Sequence, residues 1–159
     1  MQKKVRLAVW AIFIVYALLL IKFVLLKNPQ HFLSHLTHWK KAYIQLGKDN
    51  MILVPFQTTW VCLSGKKGFE VAFENIAGNL LGFVPMGLLL PILFACMNTA
   101  KKVVVTVFAT SLCFELTQLF TGVGYCDIDD LIQNTLGGFI GYLLYKNYVG
   151  RKIYSKHGV

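Results

Sequence analysis

Gly122-Val-Gly-Tyr-Cys-Asp-Ile-Asp-Asp-Leu-Ile-Gln-Asn-Thr-Leu-Gly-Gly-Phe-Ile-Gly141 decides how the rest of the chain is read. Three of the protein's seven acidic residues, Asp127, Asp129 and Asp130, lie within four positions here, and an apolar run follows at once. With a helix from Asp127 onward, three- and four-residue spacing puts Asp127, Asp130, Asn134, Gly137 or Gly138, and Gly141 on one face. The glycines suit close packing against another helix, as a small-xxx-small pair. They leave the acids unexplained. Asp129 falls off that face and suits an N-terminal cap.

Outward from this stretch, the 159 residues are 56% hydrophobic and only 14% charged. A soluble domain carries about 25% charged residues, so the composition indicates an all-α membrane protein. The net charge of +9 fits basic flanks against anionic lipid. Nucleic acid is excluded as a partner, since no basic run is interleaved with aromatics on a polar domain.

Four spans are expected. Leu7 to Leu26 is apolar except for Lys22, and about 20 residues at 1.5 Å each cross one hydrocarbon core. It reads as a retained span with Lys22 snorkelling outward, since no small-residue cleavage pattern precedes Asn28. Glu74 to Met97 is the second span, with Pro85 and Pro91 expected to kink or break it. Val103 to Phe120 is the third, after a short loop carrying Lys101 and Lys102. Leu131 to Tyr148 is the fourth. Between the first two spans, Phe32, Leu36, Trp39, Tyr43 and Leu46 recur at helical spacing and predict an amphipathic interfacial helix. Met51 to Phe56 is an extended apolar run stopped by Pro55, and Gly65 to Gly68 is a turn. The chain thus divides into an N-terminal transmembrane anchor (1–27), an extracellular loop with the interfacial helix (28–73), a three-helix core (74–150) and a basic cytoplasmic tail (151–159). Lys and Arg number eight on the terminal side and six on the other. That places both termini in the cytoplasm of a multi-pass plasma-membrane protein and the acidic loop outside.

In this topology polar residues from three spans meet at the outer leaflet: Glu74, Asn75 and Asn79; Glu115 and Gln118; Asp127, Asp130 and Asn134. Asn75, Gly78, Asn79 and Gly82 make a second small and polar face. A carboxylate inside a span costs roughly 2.5 kcal/mol or more, so Glu115 is a functional-site candidate. The convergence suits a ligand pocket. Glu115 and Asp130 suit an acid and base pair. The acids also suit a hard cation, hydrogen bonds from a headgroup, or a purely structural cluster. His31, His35 and His38 share one helical face and are the other candidate metal ligands. Cys62 and Cys126 share the outer side, but their spacing carries no disulfide-framework signal; Cys96 and Cys113 read as small core hydrophobes. No nucleophilic triad or phosphate-binding loop is present.

Glu74-Asn75-x-x-Gly78-Asn79-x-x-x-Phe83-x-Pro85-x-Gly87, then Glu115-x-x-Gln118, then Asp127-Ile-Asp-Asp130-x-x-x-Asn134-Thr-x-Gly137 resembles the VanZ-like membrane proteins, as does Leu53-Val-Pro55-Phe56 before the second span. The resemblance covers about Met51 to Tyr145. Many relatives carry an arginine shortly before the acidic block; here Gly124 stands near that place. The resemblance implies a Gram-positive cell-envelope protein that lowers sensitivity to the acylated glycopeptide teicoplanin. Its partners would be the antibiotic, a membrane lipid or a lipid-linked cell-wall precursor, and no cofactor follows from it. An intramembrane enzyme acting on such a lipid and a structural assembly protein are the alternatives.

Overall fold

A computed structural model describes residues 3–25, 51–66, 68–121 and 125–150. The interfacial helix expected around His31, His35 and His38, the Gly124 position and the basic tail lie outside the described residues.

The elements are helical apart from one short bridge. They are α1 (Lys3–Leu25), β1 (Met51–Ile52), α2 (Gln57–Leu63), α3 (Phe69–Leu93), α4 (Ala100–Thr121), β2 (Cys126–Asp127) and α5 (Ile128–Leu144). α5 runs on as π-helical turns over Tyr145–Gly150. Three stretches are long and apolar enough to cross a membrane: Lys3–Val24, Phe73–Leu93 and Ala100–Thr121. α5, at 17 residues, is shorter than these. Lys101 and Lys102, expected in a loop, instead open α4.

Packing fixes the directions. Gly137 lies against Leu80, and Gly141 against Val84, so α3 and α5 run parallel. Ser111 meets Asn134 and Val107 meets Gly138, so α4 runs antiparallel to α5. Tyr16 bonds Gly82 while Trp10 packs on Phe94, so α1 is antiparallel to α3. The alternation brings the C-terminal ends of α1 and α4 beside the N-terminal ends of α3 and α5. The buried core of Phe83, Met86, Leu90, Val103, Val107 and Tyr142 fills the other half of the bundle.

Glycine sets the α3–α5 distance. A Cβ on Gly137 would stand 2.0 Å from the Leu80 carbonyl oxygen, and one on Gly141 2.0 Å from that of Val84. The backbones therefore touch, as the small-residue pair requires. The Gly78 and Gly82 pair does not do this. Nothing lies within 4 Å of a Cβ at Gly78, and only Leu20 Cδ1, at 3.9 Å, near one at Gly82.

Pro85 and Pro91 lie inside α3, which is continuous from Phe69 to Leu93. The expected break does not occur. Near Pro85, the Tyr16 hydroxyl donates to the Gly82 carbonyl at 2.8 Å, a contact from a neighbouring helix onto the α3 backbone.

Candidate functional site

The N-terminus of α5 is built by the acidic stretch. Asp127 is the cap: its extended backbone precedes the first turn, and its carboxylate accepts the Asp129 N–H at 2.9 Å. Asp129, expected to cap, does something else. It is 1% exposed and accepts the Phe56 N–H, the Thr59 N–H at 2.8 Å and the Thr59 hydroxyl at 3.0 Å. Its carboxylate therefore takes up orphan donors at the start of α2, where no side chain of α2's own provides a cap. Phe56 itself adopts a left-handed backbone, φ 64°.

Other contacts hold the same segment. Thr58 donates to Asp127 at 2.6 Å, and Gln133 donates to the Thr59 hydroxyl at 3.1 Å. Met51 and Ile52 pair in parallel with Cys126 and Asp127. The 51–66 segment is thereby latched onto the start of α5 by groups about 70 positions away in sequence.

Glu115 is 3% exposed and accepts the Asp127 N–H at 3.0 Å. Asn134 donates to the buried Ser111 hydroxyl at 2.8 Å. Gln118 donates to the Val24 carbonyl at the end of α1, at 2.9 Å. Asn79 donates to Gln133 at 3.4 Å.

Beside these groups lies a cavity of about 870 Å³. Glu74, Asn75, Asn79, Glu115, Gln118, Asp130 and Asn134 all line it. Asp127 does not; it is occupied as the cap. Lys22, expected to point away, lines the cavity while remaining exposed. Tyr16, Leu19, Phe23, Phe73 and Leu81 make the apolar part of the wall. Leu19, Phe23, Phe73 and Leu81 are exposed, as are Lys22 and Glu74, so the cavity is open along its α1 and α3 wall. Among the described residues, Asn75 Oδ1 and Asn134 Oδ1 are buried with no hydrogen-bond partner. An unpaired buried acceptor costs about 1–3 kcal/mol, so two on residues that line one cavity call for an explanation.

Among the described residues no three His, Cys, Asp or Glu side chains form a metal-ligand set. Cys62 and Cys126 are free thiols. Cys96 and Cys113 are exposed rather than in the core. Burial, then the neighbouring Glu115 and Asp127 carboxyls, push the Cys126 thiol pKa up.

Sequence reading missed Thr58, Thr59, Ser111, Gln133 and Tyr16. The signal for Ser111 was present: Ser111, Glu115 and Gln118 share a helical face at spacings of four and three. Thr58 and Thr59 gave no local signal, because their partners are remote in sequence.

A family model described as VanZ/LLP1 matches residues 13–150. Over 73 residues, 46% of this chain, the sequence is 40% identical to Protein VanZ of Enterococcus faecium. The match spans 45% of that relative's length. No solved structure matches the chain.

Proposed function

The chain belongs to the VanZ/LLP1 family, and from that premise we propose a four-span plasma-membrane protein whose outer-leaflet cavity binds an acylated ligand. The ligand is an envelope lipid or the lipidated glycopeptide teicoplanin, and binding lowers susceptibility to the antibiotic. The fourth span is α5 with its π-helical extension. Both termini are cytoplasmic, and the 51–66 segment lies outside. The orientation is supported by Lys3, Lys4, Arg6, Lys101 and Lys102, which cluster at the bundle end away from the cavity.

One observation carries this reading: exposed apolar side chains of α1 and α3, Leu19, Phe23, Phe73 and Leu81, line the same cavity as the polar Glu115, Gln118, Asp130 and Asn134 of α4 and α5. A water-soluble substrate needs no lateral apolar entrance. An acyl chain does, because it can stay in the bilayer while the headgroup reaches Glu115, Asp130 and Asn134. Ordinary ligand sites share that composition, apolar walls with a few convergent polar groups. Purely structural polar groups between helices would be mutually satisfied, whereas two acceptors here are not.

The test is susceptibility of cells expressing the wild type, Glu115→Gln or Asp130→Asn at equal membrane levels. Glutamine still offers an oxygen to the Asp127 N–H, so the fold is retained. Both variants are expected to lose protection against teicoplanin, with little change for a glycopeptide lacking the acyl chain. Equal protection against acylated and unacylated glycopeptides would remove the membrane-entry argument.

A further inference from the structure

The 51–66 segment has the opposite polarity to a loop that stands in water. Its polar side faces the bundle: the Thr58 and Thr59 hydroxyls donate to the buried carboxylates of Asp127 and Asp129. Its other side is apolar. Leu53, Val54, Phe56, Trp60 and Leu63 are each 60–72% exposed. A single exposed apolar residue is ordinary, but a cluster of five on one short segment marks a contact surface. The backbone is provided for in the same sense. In water the orphan N–H groups at the start of α2 need no partner from the protein. Here the Phe56 and Thr59 N–H groups both donate to the Asp129 carboxylate, and Met51 and Ile52 pair with β2. Irregular backbone at membrane depth requires such internal partners.

The helices beside the segment fix its depth. Ser111 meets Asn134 and Val107 meets Gly138, so each step outward on α4 answers one step back along α5. Continued, this register sets Leu116 level with Asp129. From there α4 runs five residues further, to Thr121, or about 7 Å at the helical rise. Phe120, near that end, is exposed. α3 gives the other bound. Gly137 on Leu80 and Gly141 on Val84 set Phe73, where the apolar stretch of α3 begins, level with Asp130. Asp129, and with it the start of α2, therefore lies between the outer edge of the apolar layer and about 7 Å inside it. Lys66 and Glu70, which follow α2 in the chain, are exposed and suit the headgroup level.

We infer that the 51–66 segment is embedded in the membrane: α2 lies at the headgroup–acyl boundary of the outer leaflet, with Trp60 and its apolar neighbours against phospholipid. Lipid is the occupant because of that depth, and because α2 adjoins α3, whose Phe69 and Phe73 are likewise exposed. Tryptophan is enriched at this boundary. The placement also explains why a carboxylate about 70 positions away caps α2: it supplies the acceptor that water supplies elsewhere. The leaflet follows from the orientation proposed above. The depth does not, and neither depends on what the cavity binds.

Trp60 is its own probe. The full-length protein is placed in nanodiscs of phosphatidylcholine brominated on the acyl chain, near the glycerol end or near the terminal methyl. Both faces of a nanodisc are open to aqueous iodide. The emission of Trp60→Phe is subtracted from that of the parent; phenylalanine keeps an aromatic ring at an exposed position, so the fold is retained. The Trp60 signal should fall at least about twofold with the shallow bromines and less with the deep ones, as for a ring sunk about 5–10 Å into the boundary. Iodide should quench it little. Replacing Trp10 and Trp39 by phenylalanine leaves Trp60 as the only tryptophan and should give the same order. Quenching by iodide without quenching by bromine would place this face in water and overturn the inference. Protection from both would mean that protein covers it, another part of the chain or a second copy, and would overturn it equally. Stronger quenching by the deep bromines would contradict the boundary position.

Discussion

Asp129→Ala should release the 51–66 segment from the bundle. The carboxylate is buried and accepts from Phe56, Thr59 N and the Thr59 hydroxyl. Hydrogen bonds to a charged group are worth about 1.5–3 kcal/mol each. They are not additive here, because water satisfies all the orphaned donors once the segment lifts. Thr58–Asp127 and the Met51–Cys126 pairing still resist opening. A net loss of about 3 kcal/mol follows, which multiplies the open fraction by about a hundred. Cys62, on α2, is 4% exposed and provides the assay. With Cys96, Cys113 and Cys126 replaced by alanine, the rate of maleimide labelling reports opening of α2. The rate should rise about a hundredfold in Asp129→Ala. Asp129→Asn, which keeps one acceptor oxygen, should fall between. A rate within twofold of the parent, in protein of unchanged helicity, would refute the latch.

Gly137→Ala and Gly141→Ala should each destabilise by at least about 1–3 kcal/mol, because the new methyl meets a backbone carbonyl that cannot move aside; Gly78→Ala, with open space around it, should stay within about 0.5 kcal/mol. Thermal unfolding in detergent separates them. Tyr16→Phe removes the hydroxyl that donates to the Gly82 carbonyl, and should cost about 1 kcal/mol in the same assay. Labelling of Cys126 should need a higher pH than labelling of the exposed Cys96. A raised pKa leaves less thiolate at a given pH, so the Cys126 rate keeps rising with pH after an ordinary thiol has levelled off.

The helices could be read from the chain because an apolar run of about 20 residues has few other uses. The cavity wall was legible too, since Glu74, Asn75 and Asn79, like Glu115 and Gln118, recur at helical spacing. What could not be read depends on partners far away in sequence. The roles of Asp127 and Asp129 are exchanged because the α2 backbone, about 70 residues earlier, takes the second carboxylate. The Gly78–Gly82 and Gly137–Gly141 pairs are the same motif with different fates. Leu80 and Val84 are the α3 residues that meet the α5 glycines, whereas Gly82 lies toward Leu20 of α1 and Gly78 lines the cavity. α3 runs unbroken through Pro85, and Tyr16, on another helix, bonds the nearby Gly82 carbonyl. Lys22 was assigned to the outside for want of knowing where α1 would dock.

The central claim is that an acyl chain enters between α1 and α3. A diacylglycerol glycolipid carrying a photoactivatable group on its acyl chain, crosslinked to the protein in nanodiscs and mapped by peptide sequencing, tests it directly. Adducts should concentrate on Leu19, Phe23, Phe73 and Leu81, and fall when Asn75 is replaced by alanine. Adducts spread evenly over the exposed apolar faces, such as Leu7, Val15, Val105 and Leu136, and indifferent to Asn75, would contradict it.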